Sequence, residues 1–135
     1  MSTPPLLRTV DAVTVPVPGL DEGLHFYRDR LGHDLLWRND AIGQAALRLP
    51  DSGTELVLST GLSYAPAWLV ASVEEATRTF VAAGGRVLAE PARIAVGRVA
   101  VVADPFCNAL VLLDLSAGRY VTDPEGNVIG VDSTT

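Results

Sequence analysis

The sequence predicts a single α+β domain, residues 1–135, built from two copies of one βαβββ module. Its 135 residues, 48% of them hydrophobic, suffice for one packed core and are too few for two ordinary domains. The same order of strand and helix patterns occurs twice, and matching positions keep a nearly constant separation along the chain. We therefore expect one functional site, in the cavity that the two copies enclose.

The first module covers about residues 10–60. Residues 12–17 alternate valine with other residues and end at a Pro-Gly turn, which predicts a strand. From residue 20 to 31 apolar side chains recur at helical spacing and stop at a glycine, which predicts an amphipathic helix. Three further predicted strands follow, separated by turn-forming sequences: residues 35–38, 44–49 and 54–59.

The second module covers about residues 65–114 and repeats this order. A strand at 67–71 precedes a helix at 73–83, which stops at a Gly-Gly pair. Three predicted strands complete the module: residues 86–89, 98–103 and 108–113. A C-terminal extension, residues 115–135, contains an Asp-Pro-Glu-Gly-Asn turn that predicts an added β-hairpin.

The separation of matching positions supports a duplication. Leu20 and Val73 lie 53 positions apart. Leu47 and Val101, like Leu58 and Leu112, lie 54 apart, which indicates one inserted residue between the helix and the later strands of the second module.

Composition excludes several function classes. The net charge of −6 and the absence of lysine leave ten scattered arginines, so nucleic acid and anionic membranes are poor partners and a Schiff-base lysine is ruled out. No apolar run approaches the ~20 residues that span a bilayer. A lone cysteine, Cys107, cannot form an intrachain disulfide, and we expect a cytoplasmic protein.

Two motifs accompany the repeat: Phe-Tyr-Arg-Asp-Arg-Leu-Gly at 26–32 and Asp-Pro-Phe-Cys-Asn at 104–108. With the tandem modules, they resemble the glyoxalase, bleomycin-resistance and extradiol-dioxygenase superfamily, also called vicinal oxygen chelate proteins. The resemblance implies that a curved mixed sheet forms a cup around a small-molecule ligand. It also implies a homodimer, and metal ligands on the inner face in those members that bind metal.

The resemblance places the usual metal ligands at Ala12, Val57, Ala65 and Val111. None of these side chains has a nitrogen, oxygen or sulfur donor, so we expect no metal and no other cofactor. An alignment error of one residue could restore a single ligand, such as Glu55, but not four.

A charged pair is expected on the inner face of the first module. If Val57 faces the cup, strand alternation turns Glu55 and Ser59 the same way, and pairing across the turn at 50–53 sets Arg48 opposite Glu55. This pair is either a solvated ion pair or a grip for a ligand carboxylate or phenolate. The ligand-binding residues predicted in this way are Thr14, Arg48, Glu55, Val57, Ser59, Tyr64, Ala67, Leu69, Val102, Phe106, Val111 and Leu113. Of these, Tyr64 and Phe106 are placed at the cavity mouth, and Val102 is taken as the apolar counterpart of Arg48.

The sequence also bears on the positions of two tryptophans and the cysteine. We expect Trp68 to pack in the core beside the second helix, because it has the parity of Val70. The face of Trp37 is not determined by the pattern. Cys107 stands where the family's turn usually has glycine, and we expect the turn to have changed its type, with a reactive thiol as the alternative.

Two functions fit these residues. The first is a metal-independent protein that sequesters an apolar or aromatic compound, as antibiotic-resistance members of the family do. The second is a glyoxalase-like lyase or isomerase, or a dioxygenase. It would use Glu55 as general base and Arg48 as its electrostatic partner, or a metal held by other ligands. The sequence leaves open whether the protein is an enzyme.

Overall fold

A computed structural model describes residues 4–133, which divide into two compact units. The first unit contains residues 11–66 and 120–130. The second unit contains residues 67–119, with chain from both termini. Each unit is built around one helix packed on one face of a group of strands.

The first unit holds the elements of the first module. Its strands occur in the order β2-β3-β4-β1, with β4 parallel to β1 and antiparallel to β3. The elements in chain order are β1 (Thr9–Pro16), α1 (Leu20–Leu24), a π-helix (His25–Arg30), β2 (Leu35–Asn39), β3 (Gln44–Arg48) and β4 (Glu55–Ser59).

The core of the first unit lies between α1 and the sheet. Leu20 and Leu24 of the helix pack against Leu47 and Leu58 of the strands, and all four side chains are buried. Removing a leucine side chain from water contributes roughly 1.5–3 kcal/mol. The opposite face of the same strands is therefore the one available for function.

The first helix changes type after one turn. The amide of Leu31 bonds to the carbonyl of Phe26, five residues back, as in a π-helix. The wider turn rotates the end of the helix, so Leu31, expected on the buried stripe, is 53% exposed.

The second unit repeats the arrangement with the second module. Its strands occur in the order β5-β8-β7-β6, with β8 parallel to β5 and antiparallel to β7. The elements are β5 (Ala65–Leu69), α2 (Val73–Ala82), β6 (Arg86–Ile94), β7 (Gly97–Ala103) and β8 (Ala109–Asp114). The predicted α+β class and the two βαβββ copies are confirmed.

The core of the second unit lies under α2. Val73 and Ala76 of the helix are buried with Ala100, Val102 and Leu112 of the strands. Trp68 packs against this cluster as predicted.

The C-terminal extension forms the predicted hairpin, from β9 (Arg119–Thr122) and β10 (Val128–Asp132). Its residues 120–130 belong to the first unit and lie against β2. The amide of Arg38 donates to the carbonyl of Gly126 at 2.8 Å, and Arg38 also forms a parallel bridge with Asn127. Within residues 4–133, no helix has the length and apolar character needed to cross a membrane.

Candidate functional site

The site begins with the face of the first unit that points away from α1. On this face Thr14 of β1 lies beside Val57 of β4, and Val57 pairs across to Ala46 of β3. All three side chains are buried or nearly so. Their neighbours along the strands, such as Leu58, point into the helix core, so alternation fixes the orientation.

Glu55 and Arg48 share this face, as the sequence predicts. The two residues are direct partners in the antiparallel pairing of β3 with β4. Glu55 is half-buried, whereas Arg48 is exposed and its carbonyl oxygen lies 3.0 Å from Nδ1 of His33. The indole Nε1 of Trp37 donates to Oε1 of Glu55 at 3.0 Å, which fixes the position of the carboxylate.

Trp37 reaches this face because β2 contains a bulge. Leu35 pairs with Leu47 and Trp37 pairs with Ala46, so Leu36 is an extra residue between them. Strict alternation from Leu35 would turn Trp37 toward the helix, and this is why the sequence pattern did not fix its orientation. We call Thr14, Trp37, Arg48, Glu55 and Val57 the Glu55 face.

Tyr120 of the hairpin completes the aromatic part of the site. Its ring lies 4.7 Å from that of Trp37, centroid to centroid, with the planes tilted by 57°. The repeat pattern gives no signal for Tyr120, because this residue lies outside both modules. A single aromatic side chain in a strand of four residues carries no periodic signal.

Ser59 lies in the same strand but has a structural partner. Its side chain is buried, and its hydroxyl oxygen accepts hydrogen bonds from the amides of Gly61 at 3.2 Å and Leu62 at 3.0 Å. These bonds hold the turn that follows β4.

The corresponding face of the second unit is apolar. Ala67 pairs with Val111 and Leu69 with Leu113, and all four side chains point away from α2. This face therefore has the carbon-only composition predicted for it.

One predicted member of that face is wrong. Val102 pairs with Leu110 and is fully buried under α2, whereas its neighbour Val101 pairs with Val111 and takes the outer face. The turn between β7 and β8 is one residue shorter than the turn between β3 and β4, so the counterpart of Arg48 is Ala103. A one-residue shift exchanges the two faces of a strand.

The predicted aromatics of the cavity mouth are highly exposed. Tyr64 is 70% exposed and Phe106 is 80% exposed. Their assignment to a ligand stays a prediction.

The turn at Cys107 corrects a second expectation. Cys107 has φ of 72°, so this turn keeps the left-handed conformation that favours glycine and has not changed its type. Asp104 holds the turn by accepting hydrogen bonds from the amides of Phe106 and Asn108. The pKa of Asp104 is lowered, first by the side-chain hydrogen bond from Asn108.

The positions implied for metal ligands do not fit a cation. Ala12 and Val57 of the first unit offer only carbon, and so do Ala65 and Val111. Among residues 4–133, no group of three or more His, Cys, Asp or Glu side chains is arranged to hold a metal ion. We therefore derive no chemistry from a metal.

The profile of the Glyoxalase/Bleomycin resistance protein/Dioxygenase superfamily matches residues 9–131. The chain belongs to this superfamily. No curated protein matches the sequence significantly.

Solved structures show the same fold. The methylmalonyl-CoA epimerase of Mycobacterium tuberculosis is 23% identical, with a TM-score of 0.66 over 84% of this chain and 92% of that one. A Streptomyces coelicolor methylmalonyl-CoA epimerase in complex with 2-nitronate-propionyl-CoA is 24% identical, with a TM-score of 0.64 over 82% and 99%. A hypothetical protein from Bacillus halodurans C-125 is 22% identical, with a TM-score of 0.62 over 78% and 93%.

Proposed function

We propose that this protein binds a small organic molecule on the Glu55 face without the help of a metal. One observation carries the proposal. A half-buried carboxylate, Glu55, is held by the Trp37 indole on a face where the expected metal-ligand positions, Ala12 and Val57, are apolar. Most ligand sites combine an apolar lining with a few fixed polar groups in this way.

The side chains define the chemistry of the ligand. The carboxylate of Glu55 accepts hydrogen bonds from a hydroxyl or an amine. Arg48, its cross-strand partner, offers a guanidinium to a carboxylate or phenolate. The tilted ring pair of Trp37 and Tyr120 provides an aromatic surface for stacking. The best fit is an aromatic or apolar compound with a donor and an acidic group along one edge.

Tryptophan fluorescence tests this proposal at the site itself. In a Trp68→Phe background the remaining tryptophan is Trp37, so a ligand that binds here changes its emission. The probes are planar aromatic compounds with hydroxyl, amine or carboxylate substituents, and calorimetry gives their affinities. We expect at least one to bind with Kd well below millimolar.

Matched variants locate the binding. Glu55→Gln and Arg48→Gln should each weaken binding about tenfold, as expected for loss of a charge-assisted hydrogen bond. Glu75→Gln and Arg78→Gln make the same charge changes on the exposed side of α2 and should leave binding unchanged. No binding across the panel, or equal losses in the control variants, would contradict the proposal.

A second function is favoured by the fixed geometry of Glu55. A carboxylate held by an indole N–H can serve as a general base that removes a proton next to a carbonyl. Glu55 would take the proton, leave an enolate whose charge Arg48 offsets, and return the proton to carbon. The named relatives suggest methylmalonyl-CoA as the first substrate to test.

Proton exchange separates this function from binding alone. In D₂O, proton NMR follows the loss of the methylmalonyl-CoA α-proton, and Glu55→Gln should abolish exchange while binding persists. Exchange that survives this substitution removes Glu55 as the base. Stoichiometric bound metal in elemental analysis would contradict the metal-free proposal in both forms.

We also propose that the protein is a homodimer and acts in the cytoplasm. Two exposed apolar side chains near the end of the first module support the homodimer: Leu62 is 53% exposed and Tyr64 is 70% exposed. Light scattering after gel filtration measures the mass, and Tyr64→Ser should shift it toward the monomer. Cell fractionation tests the compartment.

A further inference from the structure

The second unit contains a groove outside the Glu55 face. It has a volume of about 380 Å³, within the size range of small-molecule sites. Its apolar lining includes Leu69, at the end of β5, and Leu115, just after β8. Val70 also borders the groove, but its side chain is buried in the core under α2. Two arginines, Arg8 and Arg119, also line it.

These two arginines differ from several others in the chain. Arg28, Arg38 and Arg98 each form an ion pair with a carboxylate at 2.7–2.9 Å. Within residues 4–133, neither Arg8 nor Arg119 has such a partner. Two guanidinium groups on one groove favour an anion there, although the chain as a whole has a net charge of −6.

Several other polar groups around the groove are already bonded. The hydroxyl of Ser116 donates to Asp114 at 2.7 Å. The amide of Gly118 donates to the carbonyls of Val96 and Leu115, and that of Val70 to Leu113. Arg8 and Arg119 are therefore the charged side chains of the lining that a polar ligand can reach, beside the apolar Leu69 and Leu115.

We propose that this groove binds an amphipathic organic anion, with its carboxylate between Arg8 and Arg119 and its hydrocarbon body on Leu69 and Leu115. Arginine is suited to this role because its planar fork matches a carboxylate and its stem adds apolar contact. The site is independent of the proposed function, because it shares no residue with the Glu55 face.

Octanoate is the probe, with acetate and 1-octanol as its separate parts. Amide chemical shifts of ¹⁵N-labelled protein report binding residue by residue. Octanoate should produce saturable shifts at Ala71 and Gly118, two residues that line the groove. Acetate lacks the apolar body and 1-octanol lacks the charge, so each should bind at least about fivefold more weakly.

Three variants test the role of the arginines. Arg8→Gln and Arg119→Gln should each weaken octanoate binding by about fivefold to tenfold and leave 1-octanol binding unchanged. Arg78→Gln removes the same charge from the exposed surface of α2 and should bind octanoate like the parent. Thermal unfolding checks that the variants are folded, as expected for exposed side chains.

The outcomes are distinct. The proposal fails if octanoate gives no saturable shifts at the groove, if the Arg8→Gln/Arg119→Gln double variant binds as well as the parent, or if 1-octanol equals octanoate. Glu55→Gln should leave these shifts unchanged. If it removes them, the anion binds on the Glu55 face, and this inference fails without the proposed function failing.

Discussion

The last strands of the two modules share a Leu-Val-Leu centre and differ in where they carry charge. The first reads Glu-Leu-Val-Leu-Ser from Glu55, and the second reads Ala-Leu-Val-Leu-Leu-Asp and ends at Asp114. Glu55 begins its strand on the face away from the helix, whereas Asp114 ends its strand beneath the start of α2. The same framework therefore supports a carboxylate with a candidate role in binding and another with a structural role.

Asp114 organises the second unit. It is 4% exposed, and its oxygens accept from the amides of Val73 at 2.8 Å, Arg98 at 3.1 Å and Ser116 at 3.2 Å. Its counterpart in the first module, Thr60, is exposed.

The helices differ accordingly. Ser72 caps α2 by accepting from the amide of Glu75, and α2 runs for ten residues. The matching residue of the first module, Gly19, provides no side-chain cap, and α1 gives way to a π-helix after five residues. The second module thus has the capped helix start, and the first module has the polar face.

The largest expected effect comes from Asp114→Asn. The side-chain amide of asparagine has one acceptor oxygen, and its NH₂ group replaces the other. Some of the backbone N–H groups that Asp114 accepts from would therefore lose their acceptor. We expect the free energy of unfolding to fall by about 3 kcal/mol. Urea unfolding measures the loss, and Asp51→Asn in an exposed turn is the control. If Asp114→Asn lowered the free energy of unfolding no more than the control does, Asp114 would not have this structural role.

Acid should remove the stability that the ionised carboxylate of Asp114 contributes. Burial alone would raise the pKa of Asp114, but hydrogen bonds from Val73, Ser116 and Arg98 outweigh it and hold that pKa below its ordinary value. A lowered pKa stabilises the fold above the unfolded-state value, about 3.9, and the contribution disappears as pH falls through the folded-state pKa. The difference in stability between parent and Asp114→Asn should thus be constant near neutrality and shrink below about pH 4. A difference independent of pH would contradict this account.

Ser72→Ala tests the cap directly. Loss of the hydrogen bond to the amide of Glu75 should cost about 1 kcal/mol in unfolding free energy. Ser63→Ala, in an exposed loop, should change it little. Equal effects of the two substitutions would mean that the cap does not distinguish the modules.

Cys107→Gly should stabilise the protein. The turn into β8 and the turn of the hairpin share the pattern Asp-Pro-x-x-Asn, with Cys107 at φ 72° in one and Gly126 at φ 90° in the other. Relief of the strained cysteine, less the greater freedom of glycine when unfolded, should add about 0.5–1 kcal/mol. Thermal unfolding under reducing conditions measures the gain, and a loss would show that the thiol has stabilising contacts.

Glu55→Gln should change stability least, by under about 0.5 kcal/mol. Glutamine keeps a carbonyl oxygen for the Trp37 indole, so the local geometry survives. The same urea measurements apply. A loss comparable with that of Asp114→Asn would assign Glu55 to the framework and weaken its role in binding.

Periodicity predicted the order of elements and the pairing of Arg48 with Glu55, because both follow from local alternation and one turn length. It missed Trp37 because the bulge at Leu36 is invisible to a period of two. It placed Val102 on the wrong face because the constant separation of 54 did not reveal a turn shortened by one residue. Tyr120 needs a tertiary contact that no local pattern encodes.

The hairpin has a further consequence for the behaviour of the protein in concentrated solution. β2 is the last strand in the order of the first unit. At its edge the amide of Arg38 donates to the carbonyl of Gly126, and Arg38 forms a bridge with Asn127. An uncovered edge strand is a template for pairing with another chain, and covering it is one way in which proteins avoid aggregation. At the end of the second unit, β6 instead carries Pro91 and two breaks in its register. Residues 120–130 are thus expected to prevent other copies from pairing with the edge of β2. A chain cut before Tyr120 should form insoluble assemblies more readily than the full chain.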